Sequence, residues 1–469
     1  MPYEQERASR LGHLPIAQSP IVTEALARWD TPTIEISDPV EITQRTFDLT
    51  HFASPRRPAT THVMAFDGSN QEVEAKTKYP SVRVGFIQVG AVLLDLEKFL
   101  NSRDDGLVDA RRLQRAQTTK IVNAVLPSSQ VTRPGMSGVD SWRVELYETF
   151  CNQVVQDFGS DFSLIDALLT LHGTPGTPAP AVPLGRCPTC DDEGQQVTAE
   201  PQNCTNCQAP IYATDLLRTH EEYSEEGSNI EILTRTMNLA ERLLTITYMD
   251  GFARTTPAVL GQLMFITDGP LAFFGPTAPL KRRMVNYWGS LCEALAKGGF
   301  APPLVVGIEK SGAFVDHANA LAEHMSPESV MVLDQKYIAE HVRRKASDSI
   351  YGKDEFYGRR FFYKSSTDQM IVATFPRIPA GQPYEAVNTS GGTNPAEQPS
   401  SYPTLRPTLE ALDRLQTRLY PNAVIPVALA HSASSLPLGT GRSVLTLLAQ
   451  DGLGLDRSSI GLARHQTYM

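Results

Sequence analysis

The sequence lacks any apolar run that approaches the length of a bilayer-spanning helix. Its first residues, Met1 to Glu6, lack the charged and apolar regions of a secretion signal. It also lacks a GxxxxGK[ST] phosphate-binding loop, so no energy source for movement along a substrate is visible. We therefore expect a cytoplasmic protein without a membrane segment, in which any motor is a different chain.

The chain has no excess of basic residues either. Its 469 residues carry a formal net charge of −10 at pH 7, which argues against indiscriminate coating of nucleic acid by Lys and Arg. Local basic groups at 281–283, 343–345 and 359–360 could line a phosphate track, although solvated faces are the plainer interpretation. With 41% hydrophobic residues, the chain can bury a sizeable core.

Cysteine is scarce, and four of the six cysteines form two CxxC pairs, Cys187 with Cys190 and Cys204 with Cys207. Four thiolates can close a tetrahedral Zn²⁺ shell that leaves no position for water, so we predict a structural zinc ribbon. A disulfide framework is the alternative, but it is improbable without a secretion signal. The ribbon could instead contact DNA or a partner. The isolated Cys151 and Cys292 are expected to be buried apolar residues.

Patterning along the chain predicts an α/β fold. An apolar run into Asp67 and a second run at 82–94 predict two long neighbouring strands joined by a turn. Residues 95–171 have mainly helical patterning, and the Pro- and Gly-rich stretch 173–180 predicts a linker into an insertion. Helices and strands alternate from 228 to 375, which favours a mixed sheet flanked by helices.

These changes in composition divide the chain into six segments. In order they are a peripheral segment (1–60), the first part of the main domain (61–172), the zinc-ribbon insertion (173–227), the second part of the main domain (228–378), a loop or linker (379–407) and the last part of the main domain (408–469).

Two aspartates, Asp67 and Asp268, each end an apolar run and precede a glycine. Both are therefore predicted at strand ends, where open α/β sheets bind ligands. Two carboxylates that converge there suit a divalent metal, and two-metal phosphoryl chemistry recruits further acids. This pair predicts metal-assisted hydrolysis.

Helical phase selects Glu241 as the third acid. It falls at the edge of the apolar stripe of a helix that begins near 228, whereas Glu231 falls on the solvated side. A buried carboxylate needs a partner, which is either a metal or an unidentified Lys or Arg. Glu145 and Glu148 are weaker candidates.

Five short motifs occur in an order that resembles the NurA nuclease domain. They are FDGS (66–69), NLAERLL (238–244), ITDGPLA (266–272), VVGIEKSG (305–312) and ALAHSA (428–433). The resemblance runs from His62 to the carboxyl-terminal segment. Two features depart from the family, namely the CxxC insertion, which many relatives lack, and a longer predicted loop at 250–261.

The resemblance implies an RNase H-like core that hydrolyses DNA with Mn²⁺ or Mg²⁺. It also implies a homodimer that works with a HerA-type hexameric ATPase. By position, Asp67, Glu241 and Asp268 correspond to the metal-binding acids. Lys310 corresponds to a lysine that could face a phosphate, and His431 to a late histidine that could move a proton or orient the scissile phosphate.

The leading hypothesis is thus a metal-dependent DNase that processes DNA ends in repair or antiviral defence. One alternative is a catalytically inactive RNase H-like module that binds DNA or a partner and uses the zinc ribbon for recruitment. Another is a phosphoesterase that acts on nucleotides with the same carboxylates. Tyr351 and Tyr357 could stack on the bases of a single strand, although such aromatics more often belong to a core.

Overall fold

The fold is known from a computed structural model. It describes residues 13–29, 39–75, 81–101, 103–104, 107–108, 115–343, 350–381, 394–416, 424–436 and 440–454.

A nine-stranded sheet forms the centre of the described chain. Labelled in chain order, its strands are β1 (Thr46–Asp48), β2 (His62–Glu74), β3 (Arg83–Asp95), β4 (Gln117–Pro127), β5 (Leu263–Asp268), β6 (Leu304–Glu309), β7 (Ser329–Val332), β8 (Gly358–Lys364) and β9 (Met370–Pro376). Their spatial order is β1-β7-β8-β9-β6-β5-β2-β3-β4.

The sheet is mixed, as the patterning predicts. Strand β5 pairs in parallel with β2 on one side and with β6 on the other, and the remaining neighbours pair antiparallel. The hairpin of β2 and β3 is long, with a register that extends from His62 opposite Asp95 to Glu74 opposite Arg83. The predicted pair of long neighbouring strands is confirmed.

Helices cover both faces of this sheet. Those labelled here are α1 (Gly138–Asn152), α2 (Leu164–His172), α3 (Ile230–Thr255), α4 (Leu280–Lys297), α5 (Ala313–Ala320), α6 (Leu405–Asp413), α7 (Ile425–Ser434) and α8 (Thr440–Gly452). Shorter helical segments are Leu14–Ala17, Pro20–Ala27, Pro39–Arg45, Leu96–Leu100, Pro257–Leu260, Gln335–Tyr337 and the π-helix Ile338–Arg343.

Alternate residues of β2 show how the layers are built. Met64 and Phe66 belong to a core that includes residues of α1 to α4, whereas Val63 and Ala65 belong to a second core with α6 and α7. Successive strand side chains point to opposite faces. A strand buried on both faces has a continuous apolar run, which is why the sequence before Asp67 shows no alternation.

Two predictions about local structure are wrong. Residues 95–171 were predicted to be mainly helical, but residues 117–127 form strand β4 at the edge of the sheet. The outward-facing Ile121 and Val125 of β4 are exposed although they are apolar. The sequence of β4 therefore lacks the apolar–polar alternation of a half-buried strand. The loop predicted at 250–261 is largely helical, because α3 continues to Thr255 and a short helix follows. Within this helix, the carboxylate of Asp250 accepts the N–H of Gly176 at 2.6 Å, which connects the helix to a distant segment.

Two segment assignments are also refined. In the peripheral segment, residues 46–48 form edge strand β1 of the main sheet. In the predicted loop 379–407, the described residues 394–407 include two short 3-10 helices and the beginning of α6, and Tyr402 is buried. None of the described helices combines the length and the apolar character that crossing a membrane requires.

Candidate active site and metal centre

Asp67 and Asp268 lie next to each other where strand β5 ends. The parallel pairing of β5 with β2 includes Thr267 opposite Phe66, so the aspartate is the next residue on each strand. Asp268 is the last residue of β5, as predicted. The strand-end prediction is wrong for Asp67, because β3 pairs along the whole of β2 and extends it to Glu74.

Glu241 reaches the same cleft from helix α3. Its side chain is only 2% exposed, and its Oε1 lies over Gly68. A Cβ atom on Gly68 would lie 2.8 Å from Glu241 Oε1 and 2.6 Å from Met237 Cγ, closer than packed atoms approach. The glycine after Asp67 therefore lets α3 place Glu241 against β2.

The glycine after Asp268 has a different role. Gly269 has a φ angle of +75°, a left-handed conformation that glycine adopts without steric strain. Its N–H donates to the carbonyl oxygen of Ile308 at 2.8 Å. This turn fixes the end of β5 against β6 and leaves Asp268 at the wall of the cleft.

Lys310 and His431 place positive or protonatable groups beside the two aspartates. Lys310 Nζ lies 3.1 Å from Asp268 Oδ2 and 3.7 Å from Asp67 Oδ2. His431 Nδ1 lies 3.1 Å from Asp67 Oδ2. The structure thus brings together all five residues that were selected from separate motifs.

Contacts between β2 and α7 position the histidine. Ser69, two residues after Asp67, donates its hydroxyl hydrogen to the carbonyl oxygen of Ser434 and accepts the N–H of Leu436 at 2.9 Å. On the neighbouring strand, Gly90 leaves room for the backbone of Ala430, which would lie 3.1 Å from an added Cβ. Close approach of α7 to the sheet therefore depends on small residues.

The acidic groups enclose a cavity of about 320 Å³. Its walls are Asp67, Gly68, Met237, Asn238, Glu241, Asp268, Gly269, Glu309, Lys310 and Ser311. Burial and the neighbouring Asp268 carboxylate raise the pKa of Asp67 to about 6. Burial raises the pKa of Glu241 to about 8, although the adjacent Arg242 acts in the opposite direction. Removal from water disfavours both ionised carboxylates.

The donor set of this cleft fits Mg²⁺ or Mn²⁺. Its acids offer carboxylate oxygens, which hard divalent cations prefer. A bound cation would offset the cost of burying ionised carboxylates, which raises the pKa of Asp67 and of Glu241. Among the described residues, only the four CxxC cysteines have ligand atoms that all lie within 4.8 Å of one another. The three acids are therefore not arranged as ligands of one ion. The ligands of two ions about 3.5–4 Å apart do not have to surround one position.

Two buried arginine–carboxylate pairs adjoin the cleft, and neither was predicted as a pair. Arg242 Nη1 donates to Glu241 Oε2 at 2.6 Å, and Arg360 Nη2 donates to Glu309 Oε2 at 3.0 Å. Each pair includes a residue next in sequence to a predicted site residue, since Glu309 precedes Lys310. Two of the motifs contain Arg242 and Glu309, and the basic group at 359–360 contains Arg360, but nothing in the sequence indicates that these residues form pairs.

Three residues of the basic groups are buried, where they cannot line a phosphate track. Arg359 and Arg360 are buried within the sheet, and Lys281 is buried with its Nζ donating to the carbonyl oxygen of Lys353. The prediction is therefore wrong for these residues, because their charges are used in packing. Arg344 and Lys345 lie outside the described residues.

The weaker candidates lie away from the cleft or in the core. Glu145 and Glu148 on α1 accept hydrogen bonds from Arg133 at 2.6 and 2.9 Å. Glu231 is exposed, as predicted, and it pairs with Arg235. Tyr357 is buried, and Tyr351 packs on Phe314 with 5.5 Å between the ring centroids. These positions favour the core interpretation of both tyrosines.

A second candidate metal centre is formed by the two CxxC pairs. Cys187 Sγ lies 3.8 Å from Cys207 Sγ, and Cys190 Sγ lies 3.7 Å from Cys204 Sγ. Tetrahedral ligands about 2.3 Å from zinc are separated by about 3.8 Å. The four-cysteine cluster therefore has the spacing of a closed zinc shell.

The two knuckles of this cluster share one backbone conformation. In the first, Asp191 has a φ angle of 58° and its N–H donates to Cys187 O at 3.0 Å. In the second, Gln208 has a φ angle of 60° and its N–H donates to Cys204 O at 3.1 Å. This repetition brings the two thiolate pairs together as equivalent halves.

The insertion packs firmly on α1. Arg143 of α1 donates to both carboxylate oxygens of Asp215 at 2.9 and 2.8 Å, and Tyr147 donates to the carbonyl oxygen of Ala199 at 2.8 Å. Both members of the Arg143–Asp215 pair are buried. The insertion has only two basic residues, Arg186 and Arg218, and many more acidic ones, so its charge disfavours contact with DNA.

The two cysteines outside the cluster are free thiols on helices. Cys292 on α4 is buried, as predicted, and Cys151 on α1 is half-buried.

No family model and no curated protein matches this sequence. Among solved structures, the chain is similar to the NurA nuclease from Sulfolobus solfataricus, with a TM-score of 0.33 and 9% identity over 95% of this chain and 98% of that chain. It is also similar to a crystal structure of NurA, with a TM-score of 0.27 and 9% identity over 88% and 92% of the two chains. Both scores lie below 0.5, so the interpretation of the cleft depends on its own residues.

Proposed function

We propose that the protein is a metal-dependent DNase that hydrolyses phosphodiester bonds in its acidic cleft with Mn²⁺ or Mg²⁺. One observation carries this proposal: Asp67, Glu241, Asp268 and Lys310 come from four segments of the chain and line one cavity, and His431 from a fifth segment contacts Asp67. Three carboxylates beside a lysine suit a site that binds both divalent cations and a phosphate.

The cleft residues have separate roles in this reaction. Divalent ions held by Asp67, Glu241 and Asp268 would activate water and neutralise charge on the leaving oxygen. Lys310, whose Nζ lies between the two aspartates, faces an oxygen of the scissile phosphate. His431 is 59% exposed; with Nδ1–H donating to Asp67, its Nε2 is left to accept or deliver a proton at the mouth of the cleft.

We further propose that strands β4-β3-β2-β5-β6 form an RNase H-like core. Three long antiparallel strands continue into two strands parallel to β2. The two aspartates lie on the neighbouring strands β2 and β5, and helix α3 crosses this part of the sheet with the third acid. This arrangement supports the assignment because it explains how distant motifs form one site.

The proposed biological unit is a cytoplasmic homodimer that works with a HerA-type hexameric ATPase. The absence of a GxxxxGK[ST] loop and the net charge of −10 support a nuclease to which another chain delivers DNA. End processing in DNA repair and degradation of invading DNA are both compatible with that activity. The zinc ribbon has a structural role, which its buried contacts with α1 support.

The test is cleavage of linear DNA by purified protein with Mn²⁺, alone and with the ATPase partner. Asp67→Ala and Asp268→Ala should each abolish cleavage while the protein keeps a cooperative melting transition and its zinc content. Glu231→Ala, on the exposed side of α3, is the matched control and should cut normally. Full activity in either aspartate variant would overturn the proposal. Circular DNA and free nucleotides as further substrates distinguish a DNase from a nucleotide phosphoesterase.

A further inference from the structure

We propose that Arg242 is a positioning residue that sets the geometry of Glu241 relative to the Asp268 turn, and so controls how tightly the cleft binds its divalent cation. This inference rests on the proposed function, because it takes Glu241 and Asp268 as metal ligands.

The guanidinium of Arg242 joins two structural elements that both supply acids. Its Nη1 donates to Glu241 Oε2 at 2.6 Å, and its Nη2 donates to the carbonyl oxygen of Pro270 at 3.0 Å. Pro270 lies in the turn that follows Asp268 at the end of β5, whereas Glu241 lies on α3. One planar side chain therefore connects the helix with the strand end.

The pair leaves one oxygen of Glu241 available. Arg242 engages Oε2, while Oε1 lies over Gly68, at the wall of the cavity. A carboxylate held in this way cannot rotate without losing its charge-assisted hydrogen bond. Arg242 therefore directs Oε1 towards the position where a cation would bind.

Stability alone does not explain this arrangement. The side chains of Arg242 and Glu241 are 4% and 2% exposed, and a buried ion pair contributes no more to stability than well-packed apolar residues. In addition, Arg242 Nε is buried and has no hydrogen-bond partner among the described residues. The guanidinium is therefore oriented by its two Nη contacts and by the neighbouring Tyr357 side chain, while its Nε–H stays unsatisfied.

A hydrogen bond to a metal ligand affects metal affinity because it orients that ligand. Groups that orient metal ligands contribute about 10- to 100-fold to metal affinity. The ammonium group of lysine is a compact charge on a flexible chain and cannot reproduce the planar fork of arginine. Arg242→Met should lose both connections, and Arg242→Lys should keep at most one.

The experiment is Mn²⁺ titration of the zinc-loaded protein without DNA, followed by electron paramagnetic resonance of free Mn²⁺. We expect Arg242→Met to weaken Mn²⁺ binding by about 10- to 100-fold and Arg242→Lys to give an intermediate affinity. Arg235→Met, which removes an arginine on the same helix that pairs with exposed Glu231, should bind Mn²⁺ like the wild type. The zinc content of each variant, and its melting temperature without Mn²⁺, show whether the variant is folded.

Wild-type affinity in folded Arg242→Met would overturn the inference. If that variant does not fold, unchanged affinity in folded Arg242→Lys has the same meaning. Failure of the proposed function has a different signature, in which the wild type and Asp268→Ala take up Mn²⁺ equally and the cleft is no cation site.

Discussion

Replacing Asp67 by asparagine should stabilise the protein when no divalent cation is present. Burial and the Asp268 carboxylate raise the pKa of Asp67 to about 6 from its ordinary value of 3.8. Each pKa unit corresponds to about 1.36 kcal/mol, so the ionised native state is disfavoured by about 3 kcal/mol. Asp67→Asn removes the charge with almost no change in shape, and most of this free energy should be recovered.

The pH window follows from the direction of the shift. Because the pKa in the folded state is raised, the stability associated with Asp67 is fully present below pH 4 and is lost as the pH rises through about 6. Asp67→Asn should therefore unfold at a higher temperature than the wild type at pH 7.5, and the difference should disappear near pH 4, where Asp67 is protonated.

Scanning calorimetry of protein dialysed into buffer free of Mg²⁺ and Mn²⁺ measures this effect, and the zinc content is checked afterwards. For 469 residues, an unfolding entropy of about 2 cal/mol/K per residue gives about 1 kcal/mol/K, so 3 kcal/mol corresponds to about 3 °C. Asp161→Asn, at an exposed position, is the control and should leave the melting temperature unchanged. A lower melting temperature of Asp67→Asn at pH 7.5 would refute the reasoning, since it would show that the ionised carboxylate is net stabilising.

Three further outcomes are expected. Gly68→Ala should weaken both Mn²⁺ binding and DNA cleavage, because the added methyl group would lie 2.8 Å from Glu241 Oε1; an unchanged Mn²⁺ titration contradicts this. Cys187→Ser should lose zinc, measured by elemental analysis, and melt at a lower temperature, because three thiolates leave the shell open; retained zinc contradicts it. Mn²⁺ should raise the melting temperature more at pH 8 than at pH 5, because protons compete for Asp67 below its pKa of about 6; equal increases contradict it.

Local patterns predicted those parts of the fold that depend on neighbouring residues. The boundaries of α4 and the end of β5 at Asp268 match the apolar periodicity of the sequence. The edge strand β4 and the continuation of α3 past Asp250 do not, because both depend on contacts with distant segments. The uncovered face of β4 carries the apolar residues Ile121 and Val125, so this strand lacks the alternation that a half-buried strand usually shows.

The same distinction holds for charged residues. Sequence identified Glu241 but left open whether it would bind a metal or pair with an arginine, and in the structure it lines the cleft while pairing with Arg242. Arg359 and Arg360 look like solvated or phosphate-binding residues in sequence, yet they are buried. Burial is a property of the assembled sheet, so charge alone cannot indicate it.

The sequence by itself determined the α/β class, the four cysteines of the candidate zinc cluster and the identity of the five residues that meet at the cleft. These depend on short-range spacing, since a CxxC knuckle or an Asp–Gly turn is defined within a few residues. Only the tertiary structure decided that the cleft residues meet and that Glu241 is desolvated and held by Arg242. Convergence of segments hundreds of residues apart requires the packed sheet, because no local pattern records which strands become neighbours.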